Sequence, residues 1–138
     1  MSIHRNYVDE ILAGIKRWEF RRRTALQPGD RVWMYATAPT AAVLGWFEVG
    51  RVLKLDAARP DARVAQEGRS TPGDLAEYFR GLTVGYGLEV HHRGCLQAPV
   101  QLPGREPGPQ SYRFLGGRTT DAAFPRALKS ASADPEPR

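Results

Sequence analysis

The run Gly14-Ile15-Lys16-Arg17-Trp18-Glu19-Phe20-Arg21 sets a glycine, a lysine, a glutamate and an arginine at the spacing GxKxxExR. Lysine is a compact point charge, and arginine is a planar fork that matches phosphate oxygens. A carboxylate between them can accept a hydrogen bond from the exocyclic amine of a base. Together they form a minimal kit for gripping a phosphate or a polar base. Lys16 and Glu19 are also the one compact pair suited to acid–base or nucleophilic work, if desolvation lowers the lysine pKa. A plainer reading stands beside each residue. Gly14 is the left-handed stop of a helix, Lys16 partners Glu19, and Glu19 pairs with Arg21.

The surrounding pattern says how these residues are held. Residues 6–13 read as a short helix, with Tyr7, Ile11 and Leu12 at helical spacing and Gly14 ending it. Residues 17–23 alternate as a strand, so Trp18 and Phe20 face a core while Arg17, Glu19, Arg21 and Arg23 share the opposite face. Gln27-Pro28-Gly29-Asp30 is a turn into a strand over 31–37, and a long strand with Gly45 and Gly50 follows over 41–55. Residues 57–69 are polar and read as loop with at most one turn of helix. Thr71, Pro72 and Asp74 open a second helix that Gly81 ends. Residues 84–91 alternate as a half-buried strand, residues 94–102 form a weaker separate one, and residues 110–115 form a last one.

These elements predict an α+β, mainly β, fold. It is a small, partly open β-barrel of five or six mostly antiparallel strands with two or three flanking helices. One domain spans residues 1–118, and a flexible tail spans 119–138.

The chain has 138 residues and a net charge of +5, with five cations (Lys16, Arg17, Arg21, Arg22, Arg23) within eight positions. A basic domain suits nucleic acid or another polyanion. No window is long enough to span a membrane, and no secretory leader is evident. The single Cys95 makes no internal disulfide, so a cytoplasmic protein is expected. His4, His91, His92 and Cys95 lack metal-ligand spacing, and no phosphate loop or dinucleotide fingerprint occurs, so neither a metal nor a cofactor is expected.

The GxKxxExR run after a short helix resembles the signature of ASCH domains, members of the PUA-like superfamily. The turn and strand from Pro28 to Val32, the strand over 41–52 and the segment Pro109-Gln110-Ser111-Tyr112-Arg113-Phe114 lie where that family places them. The resemblance covers roughly residues 3–116. It implies a cleft between barrel and helices, with RNA as ligand. Lys16, Glu19 and Arg21 would form its centre, with Arg17, Arg22, Arg23, Ser111 and Arg113 as flanks. Tyr35 would stack on a base if its face lies in the cleft, and Thr37 would contact the ligand at the rim. Some relatives are ribonucleases. Others are small amidohydrolases of acylated cytidines, which carry a threonine where this chain has Glu19. The expectation is therefore a module binding single-stranded RNA or a nucleotide. The alternative is a small hydrolase of RNA or of a modified nucleoside with Lys16 and Glu19 as catalytic residues. A third possibility is a basic face for an acidic protein partner.

Overall fold

The computed structural model describes residues 1–102 of the chain. Their strands form one five-stranded sheet in the order β1-β3-β4-β5-β2. The strands are β1 (Ser2–Ile3), β2 (Trp18–Arg21), β3 (Arg31–Ala36), β4 (Ala42–Asp56) and β5 (Val84–Val100), and the helices are α1 (Arg5–Leu12), α2 (Ala62–Glu67) and α3 (Pro72–Tyr78). β1 runs parallel to β3, and the other pairings are antiparallel.

The sequence pattern explains most of this. In β3, Val32, Trp33, Met34 and Tyr35 are all buried, so the strand packs on both faces. Its even residues join a cluster with Ile3, Val8, Ile11 and Phe47, and its odd residues join a second with Val43 and Trp46. A third cluster seats α2 and α3 on β2 through Trp18, Phe20, Ala65, Leu75 and Phe79.

The 15-residue β4 and 17-residue β5 pair along their lengths through several register shifts. Such bulges sharpen the bend of a sheet. The sheet does not close by hydrogen bonds among the described residues, since β1 and β2 are its two edges. Both edges nevertheless line the same cavity. The expected partly open barrel is therefore an open, bent sheet whose gap holds the candidate site.

Two stretches differ from expectation by more than a few terminal residues, and β1 is an element that the sequence pattern does not mark. Residues 84–91 and 94–102 are one strand, not two. Gly94 does not break it; a Cβ there would lie 2.7 Å from the Trp46 indole, so the glycine lets that ring lie against the backbone. The polar stretch 57–69 contains α2, capped by the Asp61 carboxylate, which accepts from the backbone N–H of Arg63 and Val64. Ala65 is its buried residue, too small a stripe to register as periodicity. α3 follows its signals, with Thr71 Oγ1 accepting from Asp74 N at 3.0 Å. No helix among the described residues is long and apolar enough to cross a membrane. The expected strand over 110–115, the boundary at 118 and the tail lie outside the described residues.

Candidate nucleic-acid interface

Lys16 is aimed by the chain reversal at the end of α1. Gly14 takes φ +83° and the amides of Ile15 and Lys16 both donate to Glu10 O, at 2.9 and 3.0 Å. This left-handed geometry favours glycine. A side chain at residue 14 would also collide with the guanidinium of Arg93, 2.5 Å from the position of a Cβ. Arg93 Nε in turn donates to Leu12 O at 3.1 Å.

The result is a lysine only 4% exposed. Its Nζ donates to Gly68 O at 2.7 Å and lies 3.9 Å from Glu19 Oε1. It also sits 5.0 Å from the ring centroids of both Tyr7 and Phe20. Burial pushes the Lys16 pKa below its ordinary value, while the carboxylates of Glu19 and Glu10 pull it back up and Arg69 pushes it down.

That depression has a thermodynamic sign. The unfolded chain holds the Lys16 proton more tightly than the fold does, so this group's contribution to stability rises as pH climbs from the depressed pKa toward 10.5. We expect the stability difference between parent and Lys16→Met to shift in the parent's favour over that alkaline window. Urea denaturation at a series of pH values measures it, and a pH-independent difference would contradict a buried ammonium.

Glu19 is 6% exposed, although its strand face carries the charges of the motif. Glu19 and Arg21 line the cavity together with Tyr7 of α1 and Tyr78 of α3. Arg21 Nη1 donates to Glu19 Oε2 at 3.4 Å. The structure thus brings Lys16, Glu19 and Arg21 into one constellation.

The wall opposite comes from the end of α2. Trp18 Nε1 donates to Glu67 Oε1 at 2.9 Å, and Arg17 N donates to Glu67 O at 2.8 Å. The Trp18 bond and Arg63 hold the Glu67 carboxyl below its usual range, against the opposing effect of burial. Gly68 lies flat on β2, since a Cβ there would meet the Phe20 ring at 2.4 Å.

The cavity between these parts has a volume of about 600 Å³. Its floor is Lys16, Glu19, Phe20 and Arg21; β1, the 68–70 corner and α3 complete it, and Tyr7 and Tyr78 flank it. Both tyrosines are about two-fifths exposed, at 39% and 41%. Tyr78 also donates its hydroxyl to Phe20 O at 3.3 Å. The lining carries three cations (Lys16, Arg21, Arg69) and three carboxylates (Glu19, Asp74, Glu77). Its charge is mixed rather than uniformly basic.

The other expected residues sit elsewhere. Arg22 Nη1 donates to the carbonyls of Tyr78 and Arg80 at 2.7 and 3.0 Å, which clamps the end of α3. Arg17 and Arg23 are exposed but do not line the cavity. Tyr35 is 2% exposed in the second core cluster, so its ring is packed by Trp33 and Trp46 and is not offered for stacking. Thr37 does not line the cavity; its Oγ1 lies 3.4 Å from Nδ1 of His4, which does. Ser111 and Arg113 lie outside the described residues. Sequence reasoning missed Tyr7, Tyr78 and Arg69 as site residues. The tyrosines fall within apolar helix stripes, and nothing in a polar loop marks Arg69.

Residues 1–79 match the ASCH domain family. An ASCH domain-containing ribonuclease from Zymomonas mobilis is 29% identical over 82 residues, 59% of this chain and 55% of that protein. The chain thus spans about half the length of this curated relative. The fold is similar to the crystal structure of ASCH from Zymomonas mobilis, at TM-score 0.75 and 24% identity, covering 94% of this chain and 92% of that one. A mutant of that protein gives TM-score 0.75 at 23% identity, covering 94% of each chain. The chain belongs to the ASCH domain family.

Proposed function

We propose that the cavity between the β1 and β2 edges binds single-stranded RNA by taking in one nucleotide unit. The observation that carries this reading is the buried Lys16 ammonium beside Glu19 on the floor of an open cavity flanked by two tyrosines. A volume of about 600 Å³ falls within the range of small-ligand sites. Lys16 and Arg21 suit phosphate oxygens, and Glu19 suits a base amine or a ribose hydroxyl. Tyr7 and Tyr78 suit stacking on a base. A lining of mixed charge fits one nucleotide, with its anion and its donors, better than a run of phosphates. A free nucleoside can use the same contacts. The exposed Arg17 and Arg23 are placed on this reading along the path of the flanking strand, and the protein acts in the cytoplasm.

A second reading is favoured by the depressed Lys16 pKa beside a carboxylate, and by the ribonuclease named among the relatives. On it, Glu19 takes the proton of a ribose 2′-hydroxyl as that oxygen attacks the adjacent phosphorus. The bond from phosphorus to the 5′ oxygen breaks, leaving a 2′,3′-cyclic phosphate. Lys16 neutralises charge on the phosphoryl oxygens and gives its proton to the departing 5′ oxygen.

Incubation of labelled single-stranded RNA with parent and Lys16→Ala, read for retardation and for cleavage, tests both. We expect retardation, weakened by about 10-fold or more in the variant. Cleavage that disappears in the variant adds the second reading. Unchanged binding by folded Lys16→Ala overturns the site.

A further inference from the structure

Arg69 lies outside the GxKxxExR run, on the corner that follows α2. The helix closes there with Arg69 N donating to Gln66 O at 3.0 Å and Ser70 N donating to Ala65 O at 2.8 Å. Gly68 caps it at φ −92°, and Arg69 takes the left-handed position at φ +64°. Glycine or asparagine usually fills that position. Ala41 is the other non-glycine residue at positive φ among those described. A side chain kept there at the expense of stability calls for a reason.

The reason is where the backbone aims it. The corner is fixed from two sides, by Lys16 Nζ on Gly68 O at 2.7 Å and by the Phe20 ring beneath Gly68. From it Arg69 lines the same cavity as Lys16. Its side chain is half exposed, and its Nε stands 3.6 Å from Glu10 Oε2, too long for a hydrogen bond. Arg21, by contrast, already donates to Glu19. Arg69 and Lys16 are like charges facing one space, and the Arg69 charge pushes the Lys16 pKa down. An anion between them would remove that repulsion and meet both with charge-assisted hydrogen bonds.

We propose that Arg69 is a phosphate-binding residue of the cleft, presented to the RNA backbone by the left-handed corner and acting opposite Lys16. This rests on the RNA-binding reading above. A purely structural role, neutralising Glu10, predicts something different: replacing Arg69 would then change folding but not the salt dependence of binding.

The test is Arg69→Gly, with Arg69→Asn as a second variant because asparagine also tolerates this conformation. Binding of a labelled mixed-sequence single-stranded RNA is titrated at several salt concentrations. We expect Arg69→Gly to melt at or above the parent temperature while its affinity falls about 10-fold. The slope of log affinity against log salt should become shallower by about 0.7, one phosphate contact on a single strand. Arg63→Ala removes the same charge from the 86% exposed Arg63 side chain and should keep the parent slope. Parent-like affinity and slope in both Arg69 variants, or an equal change in Arg63→Ala, overturns the assignment of Arg69 alone. A parent protein that binds no RNA overturns the binding reading and this inference with it.

Discussion

Glu19→Ala is expected to lower the free energy of unfolding by about 2–4 kcal/mol. The Glu19 side chain is 8% exposed and stands between two cations, Lys16 at 5% and Arg21 at 25% exposure. Removing one partner of a buried pair leaves an uncompensated charge, typically at about 3–5 kcal/mol. The contacts here, 3.9 and 3.4 Å, are longer than tight charged hydrogen bonds, and Arg21 is partly wet, so the loss is centred near the bottom of that range. Glu19→Gln keeps the shape and one acceptor, and its loss should be smaller. Urea denaturation at neutral pH measures both. Stability in Glu19→Ala equal to or above the parent's would mean that the constellation is not held together by its carboxylate.

Gly68→Ala is expected to lower stability by about 1–3 kcal/mol and to weaken RNA binding with it. The added Cβ would lie 2.4 Å from two carbons of the Phe20 ring and 3.1 Å from Trp18 O. Neither neighbour can yield cheaply, since Phe20 packs in the third cluster and Trp18 O belongs to β2. The corner must lift, taking with it the carbonyl that receives Lys16 and the backbone that presents Arg69. Gly73→Ala is the control. It adds a methyl to α3 with nothing nearer than 4.0 Å, and should be neutral or slightly stabilising. Equal stability and equal RNA binding for Gly68→Ala and the parent would contradict the seating of α2 on β2.

The legible and the hidden parts of this chain differ for physical reasons. Local signals sufficed where one residue fixes one conformation. Gly14 at φ +83°, Thr71 on Asp74 N and the alternation of Trp18 and Phe20 all carry their geometry in their own chemistry. The spacing that brings Lys16, Glu19 and Arg21 together is local as well, because a helix stop and two strand residues place all three.

What could not be read depends on contacts distant in sequence. Alternation puts Glu19 on the polar face of β2, but the fold encloses it in the cavity wall between Lys16 and Arg21. Arg22 looked like one more cation of a basic patch, and its work at the carbonyls of Tyr78 and Arg80 spans more than fifty residues. Tyr35 lies in a run of apolar residues, and nothing local says which face of that strand meets the cleft; β3 is covered on both faces. α2 escaped notice because six residues with a single buried alanine produce no period. The mixed charge of the cavity is likewise a property of the fold, since Asp74 and Glu77 arrive from α3.

RNA is expected to enter the gap between the two sheet edges, and NMR can locate it there. The protein, labelled with nitrogen-15, is titrated with a short single-stranded RNA, and the backbone amides are followed. The largest shifts are expected at residues 16–21, 67–70 and 74–78. Largest shifts on the β4–β5 surface around Arg51, Lys54 and His91, with the amides of 16–21 unmoved, would contradict that placement.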